Sequence, residues 1–338
     1  MDNLSHSLTG LALSRAGLNR LTPHATLLLI LSANIPDIDI VALAKSQLAY
    51  LEVHRGLTHS VYAAPLLAFE VVFLVAAVYR TRLPWMQAWF VCCVGVFSHL
   101  LLDWTNDYGI RPFVPLSLEW LHLDINSLTD GPILALLAFA AVWPWLSGLV
   151  SGEIGEAKKS SGQGSAILVL LLCISYDVCR YYLHQRAVTQ LQSRLYAGAP
   201  ALSVAALPNP INPFSWRGMV LTKSATLEFD LNTLSDLNTE SAKSFFRLPL
   251  SESIVTARRI PDFNYFLYFA RFPVWSVQPV TLKDGIGTRI ELTDLRFGAP
   301  GVGSFHCVAL ENAAGKVLGS WFTFGSGTNL GWIEPKHQ

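Results

Sequence analysis

Four long apolar stretches dominate the first 185 residues and predict membrane-spanning helices. They lie at residues 60–79, 85–104, 132–150 and 165–183. Each is close to the roughly 20 residues that an α-helix needs to cross the hydrocarbon core of a bilayer. A shorter apolar run at 25–35, preceded by a weaker helical pattern at 6–17, predicts a buried or re-entrant helix because it is too short to span.

The pattern of the chain changes after residue 185. Residues 208–216 are rich in proline and asparagine, which favour turns. Alternation of apolar and polar residues then predicts β-strands. The predicted strands lie at 220–231, 288–297, 304–310 and 317–324, with the turn of a hairpin at 312–315.

These patterns predict an α-helical membrane domain, with about four transmembrane helices plus short N-terminal helices, followed by a C-terminal extracytoplasmic β-rich domain. The expected boundaries are 1–185 for the membrane domain, 186–215 for a linker and 216–338 for the β-rich domain. The last of these is long enough to form a core of its own.

The short loops between the predicted spans indicate an orientation. The loops at 80–84 and 151–164 carry arginines and lysines, which favour the cytoplasmic side of a membrane. We therefore expect residues 1–59, 105–131 and the β-rich domain on the outer side of the membrane. Arginines within 1–59 oppose that assignment.

The composition supports a membrane protein and excludes some functions. Hydrophobic residues make up 51% of the chain and charged residues only 14%, against about 25% charged in soluble domains. The net charge of zero argues against binding of nucleic acid through phosphate attraction. The five cysteines form neither a disulfide framework nor a zinc-binding CxxC pattern.

The segment HRGLTHS at 54–60 contains the strongest candidates for chemistry. His54 and His59 flank Arg55 and Gly56 just before an apolar stretch, and neutral imidazole is the commonest metal ligand. The two rings can converge if one lies in a turn and the other at a helix start. The alternative is an interfacial loop whose histidines face water.

Two further pairs lie close to the predicted spans. His99 and Asp103 are one helical turn apart and share a face, which is costly inside a membrane unless the pair has a function. The alternative is a hydrogen-bonded pair that packs the bundle. Asp37 and Asp39 follow Pro36 and face the same way if the segment is extended, although an aspartate there also caps helices.

Two single residues are weaker candidates for ligation. His6 stands alone near the start of the chain and gains weight only from the other groups. Asp130 precedes a Gly-Pro pair, where it either caps the third span or ligates. The chain has no nucleophile elbow, no Walker loop and no HExxH motif.

Taken together, these motifs resemble the YdjM-like family of membrane-bound metal-dependent hydrolases, described as LexA-regulated and located in the inner membrane. The resemblance covers about residues 1–131 in order, with weaker similarity downstream at 209–216 and 294–298. The matching elements are His6 with Gly10, Asp37 with Asp39, the segment 54–60, and His99 with Asp103 followed by Tyr108-Gly109.

The family is distantly similar to zinc-dependent phospholipase C. The resemblance implies metal ligation by His6, Asp37, His54, His59, His99 and Asp103, with Asp39 and Asp130 as less certain ligands. Nitrogen and oxygen ligands without thiolate fit Zn²⁺, with Mn²⁺ as the alternative.

The expected function is hydrolysis of a phosphoester or membrane phospholipid by metal-activated water. Asp39 or Asp103 is the expected base or orienting residue, and Arg55 is the expected phosphate contact, since its guanidinium fork matches phosphate oxygens. The alternative is a non-catalytic membrane protein with a structural metal and a β domain that binds an envelope partner. A transporter is a weaker alternative.

Overall fold

The computed structural model describes residues 1–153, 162–238, 242–282 and 285–324. The first part of the chain is helical, as the sequence predicts. Its elements are α1 (Asn3–Arg15), α2 (Ala25–Ser32), a 3₁₀ helix (Ile35–Ala44), α3 (Gln47–Val53), α4 (Ala64–Tyr79), α5 (Trp85–Thr105), α6 (Gly131–Glu153) and α7 (Gln163–Gln192).

Within the described ranges, three helices are long and apolar enough to cross a membrane: α5, α6 and α7. Two bent pairs raise the number of candidate spans to as many as five. One pair joins α2 to the 3₁₀ helix with a bend of 48°. The other joins the helical segment Gln47–His59 to α4 with a bend of 89°.

Small residues let the short N-terminal helices pack tightly against α5. A Cβ atom at Gly10 of α1 would lie 2.7 Å from the carbonyl oxygen of Leu29 in α2. A Cβ atom at Gly95 of α5 would overlap the Ser32 hydroxyl at the end of α2. This close packing brings the start of α1 beside the last two turns of α5, so that the His6 and His99 rings stack with centroids 3.8 Å apart.

Helix α1 extends from this end of the bundle toward the other end, and α2 returns in the opposite direction. The Arg15 guanidinium donates to the Ala140 carbonyl oxygen in the middle of α6, and Arg20 donates to Gln163 at the first turn of α7. Residues 1–59 therefore extend toward both ends of the helical bundle. The loop charges had placed all of them at one end. Lys158 and Lys159, which the orientation argument also used, lie outside the described residues.

The second part of the chain forms antiparallel sheets. One sheet has the order β3 (Ser203–Pro208), β4 (Ser215–Leu221), β5 (Ala225–Asn232), β6 (Lys243–Phe246). The other has the order β7 (Pro273–Leu282), β8 (Gly285–Asp294), β9 (Phe305–Glu311), β10 (Val317–Phe324). A small ribbon of β1 (Leu195–Tyr196) and β2 (Ala199–Pro200) precedes them, and α8 (Glu252–Ala257) and α9 (Pro261–Phe269) lie between them.

Two predictions about this region need correction. The single strand expected at 220–231 is a hairpin, because a turn at 222–224 interrupts an apolar pattern that continues on both sides. The Thr222 hydroxyl donates to the Ala225 carbonyl oxygen and fixes that turn. The expected linker at 186–215 instead contains the end of α7 and the strands β1 to β3.

An aromatic core joins the second sheet to the helical part. Phe269 of α9 packs against Tyr108, which follows α5, and against Phe305 of β9. Leu51 of α3 is fully buried in the same cluster. The β-rich region therefore packs against α3, which precedes the HRGLTHS motif, and against the segment that follows α5.

The ion pair between Asp124 and Arg271 is a further link between the two regions. Both guanidinium nitrogens of Arg271 lie 2.8 Å from the two Asp124 carboxylate oxygens. Burial opposes ionisation, but the hydrogen bond from His122 and the Arg271 charge hold the pKa of Asp124 well below its ordinary value.

Replacing Arg271 by glutamine is expected to lower the free energy of unfolding by about 1.5–3 kcal/mol at pH 7. The pKa of Asp124 is lower in the folded than in the unfolded protein, where it is about 3.9. The ion pair therefore contributes fully to the free energy of unfolding above about pH 3.9, and this contribution is lost progressively as the pH falls below that value. Thermal unfolding of both proteins from pH 7 to pH 3 checks this. A difference in Tm that stays constant on acidification would contradict the assignment.

Candidate metal centre

The predicted ligands meet at one end of the helical bundle. His6 lies on the first turns of α1, and His99 and Asp103 lie on the last turns of α5. Asp37 and Asp39 lie on the 3₁₀ helix, and His54 and His59 border the turn before α4. Side chains from four segments therefore converge.

Four of these side chains form a first group. Each of Asp37, His59, His99 and Asp103 offers one ligand atom within 4.8 Å of the others. The Nε2 atoms of His59 and His99 are 3.1 Å apart. Oδ2 of Asp103 lies 3.3 Å from Nε2 of His59 and 3.4 Å from Nε2 of His99.

Asp103 is the central residue of this group. Its Oδ1 atom contacts the amino group of Met1 and lies 3.4 Å from Nε2 of His6. The side chains of His6, His59, His99 and Asp103 have no exposed surface. Burial and the neighbouring His99 ring hold the pKa of His6 well below its ordinary value, so that the His6 ring is neutral at pH 7.

Hydrogen bonds at the Nδ1 atoms define which ring nitrogens can bind a metal. Nδ1 of His99 donates to the Ala33 carbonyl oxygen at 2.7 Å. Nδ1 of His59 donates to the Thr58 hydroxyl, which in turn donates to Asp39. In the neutral rings, both Nε2 atoms then carry lone pairs that point at each other and at two carboxylates. A cation between them would remove this repulsion, and the donor set of nitrogen and oxygen fits a divalent metal.

Asp37, Asp39 and His54 form a second group within the same 4.8 Å limit. Asp37 belongs to both groups, so it lies between two positions that a cation can occupy. The Nδ1 atom of His54 donates to Oδ1 of Asp39 at 3.0 Å. Because Thr58 also donates to Asp39, this carboxylate is linked to both His54 and His59.

Arg55 contacts one residue of each group, Asp39 through its backbone N–H and Asp103 through its guanidinium. Its backbone is in the left-handed region with φ of 53°, which directs its N–H toward Oδ2 of Asp39 at 3.1 Å. Its guanidinium donates to Asp103, to the Asn106 side chain and to the Gly109 carbonyl oxygen. These are the contacts of a buried counter-ion of Asp103, and its role as a phosphate contact stays a prediction.

The centre is closed on one side and open on the other. Asp37 and His54 have side chains that are 17% and 12% exposed, whereas the side chains of the α5 ligands are fully buried. A molecule from outside would therefore meet Asp37 and His54 first.

The structure separates Asp130 from the other predicted site residues. Its carboxylate accepts from the Ile133 N–H in the first turn of α6, which is the capping arrangement. It belongs to neither group among the described residues. Sequence reasoning missed Thr58, directly beside His59, and Asn106, one helical turn after Asp103; these short spacings were the available signal.

An apolar helical bundle with a buried His and Asp cluster at one end defines a membrane protein whose cluster could hold a metal ion. The chain belongs to the YdjM inner membrane protein family, whose model matches residues 1–187. It is also 25% identical, over 314 residues, to the uncharacterized protein YfhP of Bacillus subtilis (strain 168), covering 89% of this chain and 88% of that protein. No solved structure matches.

Replacing Asp39 by asparagine is expected to weaken metal binding by about 10–100-fold, the usual cost of losing an orienting carboxylate. An amide presents N–H groups to the donors of His54 and Thr58, so that at least one ring changes its tautomer or turns. Competition with a metal-sensitive dye measures the change. The control is Asp262→Asn in α9, and equal affinity in the two variants would contradict the orienting role.

Proposed function

We propose that the protein is a metal-dependent hydrolase that cleaves a phosphoester, of the phospholipid type, at the membrane surface. The convergence of His59, His99, Asp103 and Asp37 on one small volume is the observation that supports this most directly. The six predicted ligands come from distant parts of the sequence, and simple helix packing gives no reason for them to meet.

The proposed cofactor is Zn²⁺, with Mn²⁺ as the alternative. A divalent cation at such a site acidifies a coordinated water toward neutral pH and polarises a phosphoryl oxygen. First-group residues His59, His99, Asp103 and Asp37 would hold one cation. Asp37 and His54 of the second group would hold another, with Asp37 shared between the two.

The chain's own residues have distinct roles in this proposal. Asp39 keeps the imidazoles of His54 and His59 in the tautomer that presents Nε2. Arg55 neutralises part of the negative charge of Asp103. Asp37, at the open edge, would be the ligand that the two cations share.

The exposure of the site favours catalysis over the alternative of a structural metal with a β domain that binds an envelope partner. Structural sites are closed, whereas catalytic sites keep an open coordination position. The partial exposure of Asp37 and His54 supports the open arrangement. The complete burial of His6 and the α5 ligands is the observation that favours the structural alternative.

We also propose that the centre and the β-rich region are extracytoplasmic. Arg20 and Arg80 lie at the end of the bundle opposite to the centre, where positive charge favours the cytoplasm. A reporter fused after residue 190 tests this, and a cytoplasmic signal would reverse the orientation.

The test of the proposed function uses purified protein in detergent. Bound metals are measured, and hydrolysis of bis-p-nitrophenyl phosphate and of labelled phospholipids is followed before and after chelation. We expect bound Zn²⁺ or Mn²⁺, activity that chelation removes, and recovery when that metal is restored. Bound metal without turnover of any phosphoester would favour the structural alternative.

A further inference from the structure

Exposed aliphatic side chains border the open edge of the metal centre. Ile38, Ile40 and Val41 are 48%, 55% and 68% exposed, whereas Asp39 among them is buried. The 3₁₀ helix therefore presents its carboxylates inward and its aliphatic side chains outward. Clustered exposed apolar residues of this kind indicate a surface that something covers.

The same edge continues in two neighbouring segments. Leu57 lies in the turn between His54 and His59 and is 59% exposed. Leu116 and Leu118 lie in a loop that the Ser60 hydroxyl fixes to this place by donating to the Val114 carbonyl oxygen. We use the name apolar rim for Ile38, Ile40, Val41, Leu57, Leu116 and Leu118.

The apolar rim is continuous with the outer face of α4. Leu66, Phe69 and Phe73 are spaced along one face of that helix and are 61%, 49% and 62% exposed. Tyr62, which is also exposed, links this face to Leu57. Helix α4 forms part of a candidate membrane span by length and composition. Lipid around its outer face would then reach the edge of the metal centre.

We propose that the apolar rim inserts into the interfacial layer of the bilayer, and that the centre receives its substrate from that layer. The substrate is an amphiphile whose tail stays among the lipid chains while its phosphate headgroup reaches Asp37 and His54. The substrate part of this inference rests on the proposed function, whereas the insertion of the apolar rim does not.

Insertion is measured with an environment-sensitive dye attached at residue 41 through Val41→Cys, in full-length protein reconstituted into phosphatidylglycerol and phosphatidylethanolamine vesicles. Glu52→Cys is the matched control, because Glu52 is exposed on α3 and its carbonyl oxygen accepts from Tyr265 of the β-rich region. Unsubstituted protein labelled in parallel gives the background of the five native cysteines. We expect a blue-shifted dye at position 41 that nitroxide lipids quench, and a water-exposed dye at position 52. Equal water exposure at both positions would overturn the proposal.

The route of the substrate is measured with Ile40→Glu combined with Val41→Glu. Charges near the interface disfavour insertion, so we expect hydrolysis of vesicle phospholipid to fall by about tenfold while hydrolysis of soluble bis-p-nitrophenyl phosphate is unchanged. Ile211→Glu, at an exposed position outside the apolar rim, is the control and should change neither rate.

Two outcomes of that comparison would overturn the route: unchanged rates on both substrates, or equal losses on both. If the unsubstituted protein hydrolyses neither substrate, the proposed function has failed. The dye measurement then still decides whether the apolar rim lies in the membrane.

Discussion

Replacing His99 by alanine is expected to abolish binding of the first metal and any hydrolysis that depends on it. The His99 ring contacts three partners at once, with Nε2 facing His59 and Asp103 and Nδ1 donating to Ala33. The loss of metal affinity should exceed the about 10–100-fold that removal of an outer-shell partner costs. Metal content after dialysis and activity with saturating metal measure the two effects.

The matched control is His306→Ala in β9. His306 is also a buried imidazole, and its Nδ1 likewise donates to a backbone carbonyl oxygen, that of Gly303. It lies in the second sheet and in neither group of candidate ligands. Full metal content in His99→Ala, or equal loss in the two variants, would remove the centre as described.

The local parts of the centre could be predicted from the sequence because they depend on short spacings. His99 and Asp103 lie four residues apart on one helix, and the structure keeps both on the inner face of α5. The pair His54 and His59 was expected to converge if a turn separated them, and the turn at Gly56 has that effect. The helical region followed by antiparallel sheets was also confirmed.

The meeting of distant segments could not be predicted from spacing. His6 reaches Asp103 only because Gly10 and Gly95 allow α1, α2 and α5 to pack closely, and no local pattern reveals that contact. From the residues His6 was a weak candidate that gained weight only from the other groups, and the family resemblance added it to the expected ligands. Asp39 was predicted as a less certain ligand, a base or an orienting residue, and its hydrogen bonds with His54, Arg55 and Thr58 favour the orienting role.

Strand β7 and helix α9 of the β-rich region were not predicted, because neither shows the alternation of apolar and polar residues that is typical of a half-buried strand. Strand β7 has few buried residues along its length, so it shows no regular alternation. Helix α9 carries the aromatic residues that complete the core with Tyr108, and its composition favours strands. Burial against the helical part overrides these local preferences.

Arg55→Met is expected to destabilise the protein strongly without metal and much less with it. The guanidinium donates to Asp103 at 3.1 Å, and this carboxylate is fully buried. Removing one partner of a buried ion pair costs about 3–5 kcal/mol, because the other charge is left uncompensated. A divalent cation at the first group would compensate Asp103 in the same way, so added metal should restore part of the lost Tm.

The control for this comparison is Arg111→Met. Arg111 is also a buried arginine that lies over an aromatic ring, but its Nη2 atom donates to the carbonyl oxygens of Glu52 and His54 and to no carboxylate. Its loss should lower Tm equally with metal and with chelator. At the same free metal concentration, Arg55→Met should gain more stabilisation than the unsubstituted protein, because removing the guanidinium charge tightens binding of a cation beside Asp103. If Arg55→Met loses the same Tm in both conditions, Arg55 and the cation do not act on the same carboxylate, and Asp103 is not a metal ligand.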